Sequence, residues 1–164
     1  MEPLTDALQR LVDERDVADV LHRYAAALDG RDWDGLEACF TPDAAITMSV
    51  AGGYPSAGHY RRQAESVLGG LDVTHHVFSA VRVRVNGDTA TADSCYHAQH
   101  VRAALAPDHL LLIGGWVHDE LVRTGGGWRI SVRRGTAAWY DGNPWVIGRA
   151  SLPLRPRPWR ALAP

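Results

Sequence analysis

The chain has 164 residues, 46% of them hydrophobic, with a formal net charge of −2 when histidine is neutral. That is one domain with enough apolar material for a packed core. The near-neutral balance gives no electrostatic basis for binding nucleic acid or an anionic membrane. All basic residues are arginine, so lysine Schiff-base chemistry is excluded. No apolar run approaches the ~20 residues of a membrane helix, and two cysteines do not make a disulfide scaffold. The N-terminal MEPLTDALQRLVDERD lacks the basic-then-apolar layout of a signal peptide, so a cytoplasmic protein is expected.

In chain order, Leu4, Leu8, Leu11 and Val12 follow helical spacing, and so do Val17, Val20, Leu21, Tyr24 and Leu28. Gly30 is placed to stop the second of these helices in the left-handed conformation. RDWDGLEACFTPDA reads as a short third helix with Trp33, Leu36 and Phe40 inward and Pro42 ending it. AAITMSV is a short strand, AGGYPSAGH a loop, and YRRQAESVLGGL a fourth helix closed by Gly69 and Gly70. Alternating segments then dominate. HHVFSAVRVRV and TATADSCYHAQHVRAAL flank Asn86-Gly87, a hairpin signal. HLLLIGGWVHDELVRT and WRISVRRGTAAWY flank a glycine turn, and Gly114-Gly115 predicts a bulge or sharp bend. The proline-rich SLPLRPRPWRALAP is expected to run extended over a surface or a neighbouring subunit. The predicted architecture is α+β: N-terminal helices on a strongly curved, mainly antiparallel sheet over residues 1–148, followed by a tail over 149–164. Such a cone is a ready pocket for a small, mostly apolar molecule.

LVDERDVADVLHRYAAALDGRDWDGLEACFTPDA, THHVFSAVRVRVNGDTATADSCYHAQH and GGWVHDELVRTGGGWRISVRR resemble successive parts of the SnoaL-like branch of the nuclear transport factor 2-like superfamily. The likeness covers roughly residues 8 to 140. It implies a cone-shaped α+β barrel. That superfamily mixes dehydratases, isomerases, cyclases, epoxide hydrolases, dioxygenase small subunits and binders. The pattern is most similar to the scytalone and bile-acid dehydratases. The resemblance implies catalytic roles for Tyr24 and Asp29 on the early helix, His76 on the hairpin's first strand and His100 on its second. It also implies an arginine in the last strand, at Arg134, with Arg133 adjacent.

Strict alternation with Val77, Val81 and Val83 puts His75, not His76, on the covered side; the resemblance selects His76. A bulge near Phe78-Ser79-Ala80-Val81 reconciles the two, because one extra residue flips the face. Asp29 stands at a helix C-terminus, where the dipole disfavours a carboxylate by a few tenths to ~1 kcal/mol. On an ideal helix it lies about 140° from Tyr24, so both share one cavity only if that cavity wraps the helix end. His100 shares a strand face with Tyr96 and Ala98. Phe78, Tyr96, Trp116 and Trp139 are candidate pocket walls alongside Arg134.

No metal site is expected: His97 and His100 are three apart, which on a strand puts them on opposite faces, and no His-Glu-x-x-His pattern exists. No dinucleotide or phosphate loop occurs, so no cofactor is implied. The expectation is a cofactor-free acid–base enzyme, a dehydratase-like lyase acting on a cyclic or polyketide-like molecule. A cyclase or isomerase using the same His–Asp pair, a non-catalytic binder and a subunit partner are the alternatives. By analogy the protein is expected to form a homodimer or homotrimer.

Overall fold

The computed structural model describes residues 3–149 and 151–152. Helix α1 spans Leu4–Gly30, α2 Trp33–Ala38 and α3 Ala57–Leu68. The strands are β1 (Phe40–Met48), β2 (Gly52–Tyr54), β3 (Val73–Asn86), β4 (Thr89–Val101), β5 (Leu110–Thr124) and β6 (Gly127–Gly142). They form one open sheet in the order β2-β1-β6-β5-β4-β3. Every neighbouring pair is antiparallel except β1 and β6, which run parallel and make the sheet mixed. Helices α1 and α3 cover its inner face, as the α+β reading anticipated. No described helix is long and apolar enough to cross a membrane.

Four local readings are corrected. The stretch AGGYPSAGH, read as a loop, holds the short strand β2 and the first turn of α3, which starts at Ala57 behind the Ser56 cap. The two N-terminal helices are one. Its core contact begins with Asp13 and Val17, while Leu4, Leu8, Leu11 and Val12 are exposed. Apolar spacing identified the helix but not which turns are covered. The left-handed stop is Arg31 (φ 59°, ψ 25°), one residue beyond Gly30, because its guanidinium is held from across the fold by Thr74 Oγ1 and the Leu28 carbonyl. Finally, α2 ends at Ala38 and Phe40 already belongs to β1. Pro42 sits inside that strand, where the pairing with β6 slips between Phe40 and Ala45; there its missing N–H costs no ladder bond.

One-residue insertions set which side chains reach the interior. In β3, Ser79 pairs with Cys95 and Arg82 with Asp93, so β3 carries an extra residue; Ala80 adopts φ 51° there. Thr74, His76 and Phe78 therefore share the inner face with Val81, Val83 and Val85 despite the odd spacing. In β6, Ile130 pairs with Leu121 and Val132 with Glu120, leaving Ser131 extra. A second slip pairs Ala137 with Gly115 and Trp139 with Gly114, leaving Ala138 extra. That break at Gly114-Gly115 is the irregularity the glycine pair signalled.

The Asn86-Gly87 hairpin forms, with Gly87 at φ 58°. From residue 153 onward the expected proline-rich tail lies outside the described residues; Leu152 is buried.

A Cβ on Gly115 would stand 2.0 Å from the Thr136 carbonyl oxygen, whereas one on Gly114 would meet only the indole of the half-exposed Trp139. Gly115→Ala should therefore lower unfolding free energy by about 1–3 kcal/mol. Gly114→Ala should cost clearly less, because the indole can swing outward. Urea denaturation of the two variants checks the difference.

Candidate active site

Between α1, α3 and the inner face of the sheet lies a cavity of about 120 Å³. That is many times the space one water needs. Its floor is buried and mostly apolar, with Leu28, Leu68, Ala98, Ile113 and Val117 beside Tyr24, Tyr60 and Tyr96. Phe78, His76, His100 and Arg133 complete it. Among the sequence-selected residues, the structure brings Tyr24, His76, Phe78, Tyr96 and His100 onto this one cavity.

Asp29 is not in the wall; it stands behind His76. The His76 backbone N–H donates to Asp29 Oδ2 at 2.8 Å, and His76 Nδ1 lies 2.7 Å from Oδ1. The Thr74 hydroxyl donates to Oδ1 at 3.1 Å. Burial pushes the Asp29 carboxyl up, but these donors outweigh it and hold the group below the ordinary carboxylate range. An ionised carboxylate only accepts, so Nδ1 of His76 carries the proton and Nε2 keeps a free lone pair. This arrangement also resolves the angular problem of the helix end. Tyr24 faces the cavity, Asp29 faces β3, and His76 bridges the gap. Arg31 completes the support by donating to Thr74 Oγ1 at 2.6 Å. Arg23 pairs with Asp19 on the surface instead.

His100 lies edge-on to His76, with ring centroids 5.5 Å apart. Its Nδ1 has no hydrogen-bond partner of normal geometry. Burial, aided by the neighbouring His76, pushes its pKa down to about 4. It is therefore neutral at neutral pH, able to offer or accept a hydrogen bond but not to deliver a proton as an imidazolium.

Tyr24 and Tyr60 share a hydrogen bond between their hydroxyls. Whichever donates, the other keeps an O–H free for a third oxygen. Burial and the Tyr24 hydroxyl raise the Tyr60 pKa well above its ordinary value, so it stays protonated. Under Tyr24 lies the Arg133 guanidinium, 3.8 Å from the ring centroid. It makes a fork on Asp119, Nε to Oδ1 at 2.7 Å and Nη2 to Oδ2 at 2.8 Å, both side chains fully buried. Burial works against the Arg133 charge, but Asp119 reverses this and holds it firmly protonated. Nη1 has no hydrogen-bond partner among the described residues.

Three expected wall residues lie elsewhere. Arg134 is exposed and pairs with Glu120 at 2.7 Å, because the insertion at Ser131 turns Arg133 inward in its place. Trp139 packs on His97 on the outer face, carried there by the insertion at Ala138. Trp116 pairs with Cys95 and Thr136 on that outer face by plain alternation with the buried Val117. Tyr60, Arg133, Thr74 and Arg31 were not selected from the sequence. Tyr60 was accessible to it, since Tyr60, Ala64 and Leu68 form the inward stripe of α3. His97 and His100 do face opposite ways, and no cluster of metal-binding type occurs among the described residues.

Residues 9–134 match the SnoaL-like domain family, and the chain belongs to it. An uncharacterised protein of Mycobacterium tuberculosis is 35% identical over 135 residues, 78% of this chain and 86% of that one. Among solved structures, a scytalone dehydratase candidate from Novosphingobium aromaticivorans aligns with TM-score 0.74 at 24% identity, covering 90% of this chain and 100% of that one. A hexachlorocyclohexane dehydrochlorinase, LinA type 3 from Novosphingobium barchaimii, aligns with TM-score 0.73 at 18% identity, covering 90% and 99%. At these identities the structural likeness carries the nuclear transport factor 2-like cone fold.

Because His100 binds its proton at about pH 4 when folded but near 6.5 when unfolded, the unfolded chain holds more protons between those values. Stability should therefore fall as pH drops from 6.5 toward 4, by on the order of 2–3 kcal/mol. His100→Gln should flatten that window, as urea titrations at several pH values would read out. The Asp29 contribution has the same sign but a lower window. It is complete above the ordinary carboxylate value and is lost only at lower pH, as the depressed pKa is crossed.

Proposed function

We propose that the protein is a lyase that removes water from a small cyclic, carbonyl-bearing molecule by acid–base chemistry of its own side chains. The observation that carries this reading is the Asp29–His76 pair: an ionised carboxylate fixing one imidazole tautomer, with the other ring nitrogen left free on an apolar cavity. A binding protein has no need of so ordered a base. The family membership and the dehydratase and dehydrochlorinase among its structural neighbours agree with an eliminating enzyme.

The steps follow from the donors present. His76 Nε2 takes the proton from the carbon next to the substrate carbonyl, and Asp29 stabilises the imidazolium that forms. The electron pair moves onto the carbonyl oxygen. The free O–H of the Tyr24–Tyr60 pair stabilises the resulting enolate there, with the Arg133 cation behind it. Collapse of the enolate expels the β-hydroxyl, which leaves as water with the proton returned by His76. His100, neutral, hydrogen-bonds the departing oxygen. Atoms balance without any further reactant. A polyketide cyclisation or an isomerisation begins with the same proton abstraction.

Incubation with a cyclic β-hydroxyketone such as 3-hydroxycyclohexanone, read by the ultraviolet absorbance of the enone, tests this. Wild-type protein should form enone. His76→Ala should abolish turnover. Asp29→Asn should lower kcat by about 10²–10⁴-fold while leaving KM within a few-fold. Equal enone formation by wild type and His76→Ala would sink the assignment.

A further inference from the structure

Away from His76 and Phe78, half-buried residues of the cavity wall include Val50, Ala51, Tyr54, Gln63, Ile147 and Arg149, which we take as its rim. Within the floor, charge comes in matched sets. Arg133 is forked onto Asp119, and Asp29 is held by His76, Thr74 and, through Thr74, Arg31. The rim breaks this rule. Arg149 follows the short 3₁₀ turn Pro144–Ile147 and has no ion-pair or side-chain hydrogen-bond partner among the described residues. It sits close enough to Tyr54 for its charge to act against the burial of that phenol. Gln63, from α3, also lines the wall with no hydrogen-bond partner for its amide among the described residues. Residues 149–164 contain four arginines and no acidic side chain.

A guanidinium lining an apolar pocket, with no carboxylate partner among the described residues, is matched by an anion arriving with the ligand. We propose that Arg149 is an anion anchor, so that the natural substrate carries a carboxylate, or another anionic group of like geometry, joined to its apolar reacting ring. This rests on the cavity being the substrate site. The floor takes the ring and its carbonyl; the rim takes the charge. Such an anchor orients the ring by its far end, so that one carbon rather than its mirror-related neighbour faces His76. It also favours anionic ligands over neutral molecules of the same shape, which bind without that contribution.

Calorimetric titration of the full chain with a matched pair, cinnamate and cinnamyl alcohol, tests the anchor without requiring turnover. Cinnamate should bind at least tenfold more tightly at low salt, and the preference should shrink as salt is raised. Arg149→Gln should bring the two ligands to within about twofold. Arg149→Lys should keep part of the preference, and Arg134→Gln, altered on the outer face, should keep it all. Equal binding of the two ligands, binding of neither, or a preference that survives Arg149→Gln would each overturn the proposal. The readout separates the two readings. Arg149-dependent binding with no enone formation leaves the anchor standing and removes the lyase. Enone formation by a protein indifferent to the carboxylate does the reverse.

Discussion

The site is organised by one contact across the fold, the carboxylate of Asp29 against the backbone and ring of His76. Its position is unfavourable taken alone, since the C-terminal end of α1 presents unpaired carbonyls to a negative charge. What holds it there is a set of three donors from β3, the His76 N–H, its Nδ1–H and the Thr74 hydroxyl. These also dock the helix end on the edge strand of an open sheet. The same interactions therefore serve packing and chemistry. The Arg31 backbone, left-handed without a glycine, follows from this docking. A non-glycine residue in that region is strained, and the Arg31 guanidinium offsets the strain by tying Thr74 and the Leu28 carbonyl together.

The cavity has two polar ends on an apolar body, and each end is made by pairing. At one, a carboxylate out of the cavity sets the tautomer of an imidazole inside it. At the other, a fully buried Asp119 neutralises Arg133, which lies under the ring of Tyr24. Neither charge could be left alone in such surroundings, because an uncompensated buried ion costs several kcal/mol. Pairing lets the cavity hold strong polar groups while remaining mostly apolar. The two histidines, with ring centroids 5.5 Å apart, differ in their partners. His76 has a carboxylate behind it, whereas His100 has only burial and a neighbour.

Much of this was legible in the sequence, for identifiable reasons. The apolar spacing of Val17, Val20, Leu21, Tyr24 and Leu28 specifies a helix with a buried face. Asn86-Gly87 specifies a hairpin, and Gly114-Gly115 a break in the third long strand. Tyr24, Asp29, His76 and His100 were selected by resemblance to a family pattern. The conflict between alternation and that pattern at His75 and His76 was itself informative, since it required an insertion, and the structure has one at Ala80. The misplacements share a cause. Arg134 lies just past the insertion at Ser131 in β6 and Trp139 just past the one at Ala138, so each takes the face opposite to that set by the alternation immediately before it. Trp116 needed no insertion; its size suggested a wall, while its parity with the buried Val117 put it outside.

By itself, then, the amino-acid sequence determined most of the helices and long strands, the Asn86-Gly87 turn and the chemical vocabulary of the site. These depend on residues close together along the chain, whose periodicity and backbone preferences act locally. Only the tertiary structure decided which of two adjacent residues faces inward: His76 over His75, Arg133 over Arg134, Tyr140 over Trp139. That choice depends on how each strand's hydrogen bonds register with its neighbour. A single unpaired residue in that ladder changes it while leaving the local sequence pattern almost untouched.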